Sequence, residues 1–287
     1  MYVVGGVTGH TGSLIARTLL ERGERVRAIV RSREQIYQWK DQGAEVVVAD
    51  FNDTSVLSSA LEGAKGAYLL TPQSVYDTHP LEKWACQNQS IVSAVKNARL
   101  KNTVFLSSMG AHLDKQTGIV QALYDAEQKF INAEIPVTLL RSAYFYENWI
   151  PTLDAIHERS ALPTFLNAKR SIPMVSVKDV AGVAVDLLQN PSDSTRIVEL
   201  SGPKDYSAQD IIDILEQILG KQIDLLPFAK GGWEEVWGEE DLPGEMGVLL
   251  NETYTDLNKQ KITFSGKNVE SRQGKVPLEE VLARWVS

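Results

Sequence analysis

Cysteine is almost missing from this chain: Cys86 stands alone among 287 residues, which excludes an internal disulfide. Such usage fits a chain kept reduced in the cytoplasm, and packing inside a helix is the expected role of Cys86. Histidine is scarce as well. His10, His79, His112 and His157 are scattered without ligand spacing, so no metal centre is expected. No apolar run reaches the length of a membrane span. The first residues read as a strand rather than a charged-then-apolar leader, so no secretory signal is expected. Positive charge is in deficit, with 29 Lys and Arg against 37 Asp and Glu, a net charge of −8. No basic stripe relieves that deficit, which argues against direct contact with nucleic acid. Internal repeats and low-complexity tracts are absent too. The composition that remains, 43% hydrophobic and 23% charged, supports one large domain or a domain with a smaller lobe.

Glycine is present where it can act. Tyr2-Val3-Val4 runs into Gly5-Gly6-Val7-Thr8-Gly9-His10-Thr11-Gly12, and an amphipathic helical pattern follows from Ser13. Strand, glycine turn and helix are the setting in which a G-x-x-G-x-x-G spacing binds a dinucleotide. Gly6 lets the chain turn off the strand, Gly9 lets the backbone approach a pyrophosphate, and Gly12 lets the helix pack closely on the sheet. The helix N-terminus adds unpaired N–H groups and a partial positive charge. Thr8, His10 and Thr11 share the turn and join the three glycines as expected cofactor contacts. The alternative is an ordinary tight turn that binds nothing.

The next apolar run, 25–30, reads as a second strand that ends in Arg31-Ser32-Arg33. NAD-selective sites place an Asp or Glu here to hold the ribose 2′-hydroxyl. A guanidinium instead clamps a 2′-phosphate with paired N–H donors, so NADP(H) is expected over NAD, with Arg31 as main contact and Arg33 as support. The alternative makes both arginines solvated surface groups.

Further strands are expected at 2–5, 45–49, 66–70, 103–107 and 137–141, and helices at 13–21, 33–42, 54–61, 84–97 and 122–133. This alternation implies an α/β fold with a doubly wound parallel sheet, and ligand along the carboxyl ends of the strands. Asp50-Phe51 closes the third strand, beside the position of an adenine. There Asp50 accepts from the exocyclic amine and Phe51 packs on the ring, or Asp50 serves only as a turn acid. Thr71-Pro72 closes the fourth strand, where backbone passes the cofactor ribose. Residues 73–80 read as a lid or a plain surface loop. After about residue 150 the pattern changes, so 1–150 is expected to form the NAD(P)-binding domain and 151–287 a smaller substrate-binding lobe intertwined with it. Within the latter, 172–181 reads as strand then helix, 197–200 as a strand, and Ser207 with Asp210 as a helix cap. The acidic stretch 231–247, with Trp233 and Trp237, walls a substrate pocket or covers the core.

At this point the chain resembles the NmrA-like branch of the atypical short-chain dehydrogenase/reductases. The resemblance rests on the glycine turn, Ile29-Val30-Arg31, Ala49-Asp50-Phe51, Leu139-Leu140-Arg141-Ser142-Ala143-Tyr144-Phe145-Tyr146-Glu147-Asn148 and Val177-Lys178-Asp179-Val180-Ala181. It covers about the first 200 residues, and the Leu-Arg stretch is its most specific part. It implies a Rossmann domain binding NADP and a C-terminal α/β lobe closing a cleft. Members include quinone, azo-dye and triphenylmethane dye reductases, phenylpropanoid reductases and redox-sensing regulators.

The wider superfamily uses a Ser, a Tyr and a Lys four residues after the Tyr; the lysine lowers the tyrosine pKa while the tyrosine supplies the proton. Ser107-Ser108 end the fifth strand, where that serine sits. The Tyr-x-x-x-Lys pattern is missing: Leu123 and Glu127 fall at its positions, and Tyr124 lies one residue off. Alcohol dehydrogenation is therefore disfavoured, whereas a quinone, azo or dye acceptor is already activated and needs orientation above all. Ser107, Tyr144 and Tyr146 are the candidate catalytic residues, with Phe165 and Trp149 as further aromatic walls and Asn148 as a polar contact. The tyrosines read equally well as core, Ser107 as a strand-end group and Asn148 as a turn cap. The expectation is an NADPH-dependent oxidoreductase acting on a small aromatic acceptor, with no nucleic acid, no membrane, and a homodimer left open. The alternative is an NADP-binding redox sensor without turnover.

Overall fold

The computed structural model describes residues 1–228, 242 and 244–286. Trp233 and Trp237 of the acidic stretch lie outside the described residues. The apolar runs of the first half become strands β1 (Tyr2–Val4), β2 (Val26–Val30), β3 (Glu45–Val48), β4 (Gly66–Leu70), β5 (Thr103–Ser108) and β6 (Thr138–Ser142). Between them lie helices α1 (His10–Glu21), α2 (Ile36–Lys40), α3 (Thr54–Leu61), α4 (Pro80–Asn97) and α5 (Gln121–Asn132). After β6 the chain forms β7 (Tyr144–Phe145), α6 (Leu153–Arg159), β8 (Ala161–Thr164), β9 (Ile172–Val175), α7 (Val177–Gln189) and β10 (Arg196–Ser201). Then come β11 (Asp205–Tyr206), α8 (Ala208–Leu219), β12 (Asp224–Pro227), α9 (Gly244–Asn258), β13 (Glu270–Gln273) and α10 (Leu278–Val286).

One sheet of eight strands runs in the order β3-β2-β1-β4-β5-β6-β10-β13, every pairing parallel. Parallel strands need helical crossovers, which cover both faces and bury the strands. On one face α1 and α7 pack through Ile15, Leu19, Val180, Ala184 and Leu188. On the other, α3, α4 and α5 bring Leu57, Leu61, Ile91, Val95 and Phe130. Fully burying a side chain of this size contributes about 1.5–3 kcal/mol. The chain winds outward from β1 to β3 and then returns to start β4 on the other side of β1. That reversal opens a crevice at the carboxyl ends of β1 and β4.

Residues after 150 do two things. They supply β10 and β13 to the main sheet and α7 to one of its faces, and together with Tyr146 and Trp149 they build a second core of Leu162, Met174, Tyr206 and Ile211. The lobe holds the three-stranded β11-β9-β7 sheet and the β12-β8 pair. Helix α8 opens on a reciprocal cap between Ser207 and Asp210.

Local differences from the sequence expectation have local causes. The helix expected over 33–42 is a 3-10 turn (Arg33–Gln35) followed by the short α2, and it stops before Gly43 at φ +89°. Helix α4 begins four residues early, at Pro80, where a missing N–H costs nothing because no helical acceptor exists for it. Cys86 is exposed on α4 rather than packed inside. Residues 73–80 are stapled to α4 rather than loose: the buried Asp77 carboxylate accepts from Ser74 N, Lys83 Nζ and Trp84 Nε1.

Candidate functional site

Gly5 N donates to Tyr68 O at 2.8 Å, and this bond carries the end of β1 alongside β4. Gly6 then turns at φ +64°, a conformation that disfavours any residue with a Cβ. Gly9 N closes the turn by donating to Gly6 O at 2.9 Å. At Gly12 a Cβ would stand 2.3 Å from Gly6 O and 2.6 Å from Gly5 O, so the first turn of α1 backs directly onto the strand end. Gly9 caps α1 with no side-chain bond to the first-turn N–H groups, an arrangement that suits an anion.

A groove of about 150 Å³ follows this turn, lined by Gly6, Thr8, Gly9, Thr11, Arg31, Phe51 and Pro72 together with Ile29, Leu70 and Gln73. Thr11 Oγ1 accepts from the buried Tyr68 hydroxyl at 2.8 Å, which pins the turn to the sheet. Arg31 stands exposed at the end of β2, the groove's outer rim. Arg33 is exposed in the 3-10 turn and is not among the groove residues. Asp50 also lies off the groove wall; its carboxylate accepts from Asn52 N at 2.9 Å and Asn52 Nδ2 at 3.0 Å, the turn-acid arrangement. The cap of α3 is Asp53.

A second cavity, of about 550 Å³, adjoins the groove and shares Leu70 and Gln73 with it. His10 and Thr71, grouped with the nucleotide turn on sequence grounds, face this cavity instead. Its floor is the carboxyl ends of β4, β5 and β6, including Leu106, Ser107, Met109 and Ala143. Tyr144, Asn148, Ile150 and Pro151 form one wall, and Leu250, Thr253, Tyr254 and Leu257 of α9 form the opposite one. The lining is mainly apolar, as a pocket for an aromatic molecule requires.

Most hydroxyls in that lining are already committed. Thr71 Oγ1 donates to Asn88 Oδ1 at 2.7 Å, Ser108 Oγ to Met109 O at 3.0 Å, Ser142 Oγ to Ser107 O at 3.2 Å and Thr253 Oγ1 to Leu249 O at 2.8 Å. Ser107 is 2% exposed, and its Oγ donates to Glu127 Oε1 at 2.6 Å. Glu127, fully buried on α5, holds Arg141 through two bonds, Nε to Oε1 at 2.9 Å and Nη2 to Oε2 at 2.6 Å. Arg141 Nη1 reaches Glu199 Oε1 at 3.4 Å, and Glu199 accepts from Ser265 and from Gly266 N. Ser107 thus lines the cavity with its hydroxyl proton engaged by the buried Glu127 carboxylate.

Tyr144 and Tyr146 part company. Tyr144 lines the cavity, with its hydroxyl 3.3 Å from that of Tyr254 and bonded to the Asn148 side chain. Burial pushes both phenols above their usual value. Tyr146, proposed from sequence as a catalytic candidate, is corrected to core: it is fully buried, its hydroxyl donates to Val276 O at 3.4 Å and its ring meets Tyr206 edge-on at 5.7 Å. Strand alternation would put residues 144 and 146 on one side. Strand β7 stops at Phe145, however, and a 3-10 turn opens at Tyr146 and rotates it away. Phe165 and Trp149 stand behind the lining, Phe165 against Phe228 and Tyr254, and Trp149 edge-on to Tyr144. Tyr254 and Thr253 went unread in the sequence. No local motif marks them, because the contacts with Tyr144 and Ile119 that dock them lie more than 100 residues away.

The reversed parallel sheet, the glycine cradle and the adjoining apolar cavity define a Rossmann-type α/β protein with its ligand cleft at the strand ends. The chain belongs to the NmrA-like family, whose model matches residues 1–254. Among similar curated proteins, an NAD(P)H azoreductase from Xenophilus azovorans is 22% identical over 254 residues, covering 88% of this chain and 86% of the relative. Quinone oxidoreductase 2 from Escherichia coli (strain K12) is 23% identical over 279 residues, covering 96% and 94%. Among solved structures, the Escherichia coli NADPH-dependent quinone oxidoreductase QOR2 complexed with NADPH superimposes with a TM-score of 0.82 at 20% identity, each chain fully covered. No described helix is long and apolar enough to cross a membrane.

Proposed function

We propose that this protein is an NADPH-dependent reductase of a small aromatic acceptor, a quinone, an azo compound or a related dye. One observation carries the reading: the mainly apolar 550 Å³ cavity opens beside the glycine groove and shares Leu70 and Gln73 with it. A flat aromatic acceptor there would lie against the end of a dinucleotide laid along the groove. The names of the azoreductase and quinone oxidoreductase relatives support the same class.

The residues fit the cofactor. Gly12 leaves no room for a Cβ, Gly6 holds a positive φ that disfavours one, the α1 N-terminus has no side-chain cap, and Arg31 stands exposed at the groove rim. Gly6, Thr8, Gly9 and Thr11 would cradle the pyrophosphate and Phe51 and Pro72 would bound the nucleotide, while Arg31 would clamp the 2′-phosphate. Bound NADPH supplies a hydride. The protein supplies position and a mainly apolar cavity, which is enough for an electrophile that is already activated. Residues 1–150 then hold the nucleotide, and 151–287 complete the acceptor cavity while closing the sheet.

Arg31→Ala is expected to weaken NADPH about 10- to 100-fold, the size of a lost charge-assisted pair, and to leave NADH little changed. Fluorescence titration measures both constants, and an unchanged NADPH constant removes Arg31 from the site. Steady-state NADPH oxidation with a panel of quinones and dyes tests the reaction. Tight NADPH binding with no turnover on any acceptor sinks the reductase reading. That result favours a redox-sensing regulator, a reading to which the locked Glu127–Arg141 pair in place of a lysine lends some weight.

A further inference from the structure

We propose that the paired hydroxyls of Tyr144 and Tyr254, one from each wall of the cavity, form the hydrogen-bonding end of the acceptor site and receive the carbonyl oxygen of a quinone. This rests on the reductase reading of the same cavity.

Elimination within the lining comes first. The hydroxyls of Thr71, Ser107, Ser108, Ser142 and Thr253 each donate to a protein acceptor. Ser107, the position from which the wider superfamily works, is bound to a buried glutamate that is itself held by Arg141. The tyrosine pair differs in kind. Its 3.3 Å contact joins two hydroxyls, and either oxygen can be the donor. Such a contact can reverse to suit an oxygen arriving in the cavity.

Placement and chemistry agree. Tyr144 follows directly from β6, the strand that also supplies Ser142 to the floor, and it is steadied by the Asn148 side chain and by the edge of the Trp149 ring at 6.4 Å. Tyr254 arrives from α9, whose Thr253 Oγ1 accepts from Ile119 N at 3.0 Å and so docks that helix onto the β5–α5 connection. Burial keeps both phenols protonated. They therefore act as donors to negative charge rather than as acids that give up the proton, much as a fixed oxyanion site does.

A quinone that takes up a hydride develops charge on oxygen. The tyrosine pair meets that charge, and solvent completes the hydroquinone: quinone, NADPH and one proton give hydroquinone and NADP⁺. A cationic triarylmethane dye behaves differently. It takes the hydride at its central carbon, becomes neutral and needs no proton, so it makes no demand on the pair.

The test uses the full-length protein with Tyr254→Phe and, separately, Tyr144→Phe, each of which deletes a single oxygen. The expected result is a fall of tenfold or more in the ratio of quinone turnover to cationic dye turnover, with the NADPH dissociation constant within twofold of the parent. Hydroquinone binding to the protein–NADP⁺ complex, read by fluorescence, is expected to weaken about tenfold in at least one variant; this measurement needs no turnover. A general packing defect would lower both turnovers together and leave their ratio intact. An unchanged ratio with unchanged hydroquinone affinity in both variants overturns the proposal. A parent protein that binds NADPH and reduces neither acceptor overturns the reductase reading instead.

Discussion

Arg141 shows how much of this site is settled by single side chains. It sits between two buried glutamates, and removing it would leave Glu127 and Glu199 facing each other's charge in a dry interior, a change that typically costs about 3–5 kcal/mol. Glu199 carries a pH signature. Burial alone would raise its carboxyl, but bonds from Ser265 and Gly266 N and the charge of Arg141 outweigh that and hold it below the usual carboxylate range. A depressed folded value means that the stabilisation is complete above the unfolded value of about 4.5 and is lost as pH falls through the folded value. Glu147 acts in the opposite sense, since burial raises its carboxyl and its ionisation works against the fold as pH rises. Glu199→Gln is expected to lower stability at pH 7 by roughly 1–3 kcal/mol and to flatten the loss of stability below pH 4.5. Urea unfolding at pH 7, 4.5 and 3.5 measures this; an unaltered slope between the two acid points would refute it. At this scale the sequence reveals unequal amounts. Leu123 and Glu127 at the Tyr and Lys positions are readable by counting, yet the two partners of Glu127, Ser107 and Arg141, come from different strands and meet only in the folded sheet.

Helix α1 depends on one close approach. The carbonyls of Gly5 and Gly6 occupy the space where any side chain at position 12 would stand. Gly12→Ala is expected to push the first turn of α1 off the strand, costing about 1–3 kcal/mol as overpacking does, and to abolish NADPH binding at micromolar concentrations. Thermal unfolding and nucleotide titration on the same sample check both effects. Elements with a strong apolar period are legible in the chain, and β4 and α3 fall where periodicity puts them. Strand β13 is not, because Glu270–Gln273 is polar and lies at the sheet edge, where β10 is its one strand neighbour among the described residues. Helix α9 does carry a helical period, with Met246, Leu249, Leu250, Thr253 and Leu257 buried. Its apolar face is split between the docking turn and the cavity, so the period does not disclose its role.

Across the whole molecule, the two halves of the cleft draw on different parts of the chain. The nucleotide groove uses residues from Gly6 to Gln73, a single continuous stretch. The second cavity adds residues 106–151 and then 250–262, which return after the chain has passed through β10, one further strand of the main sheet. The sequence discloses the first stretch because its chemistry is local, and hides the second because it is assembled by the tertiary fold.

Helix α9 thus behaves as an interchangeable part. It brings Leu250, Thr253, Tyr254 and Leu257 to the second cavity and contributes no residue to the groove lining. A chimaera carrying the corresponding helix of a relative with another acceptor is expected to inherit that relative's acceptor range while its preference for NADPH over NADH stays put. Turnover across the acceptor panel, beside the two nucleotide constants, reads the graft. On the proposed function, redrawing this one late helix would change what the protein reduces and leave its source of electrons undisturbed.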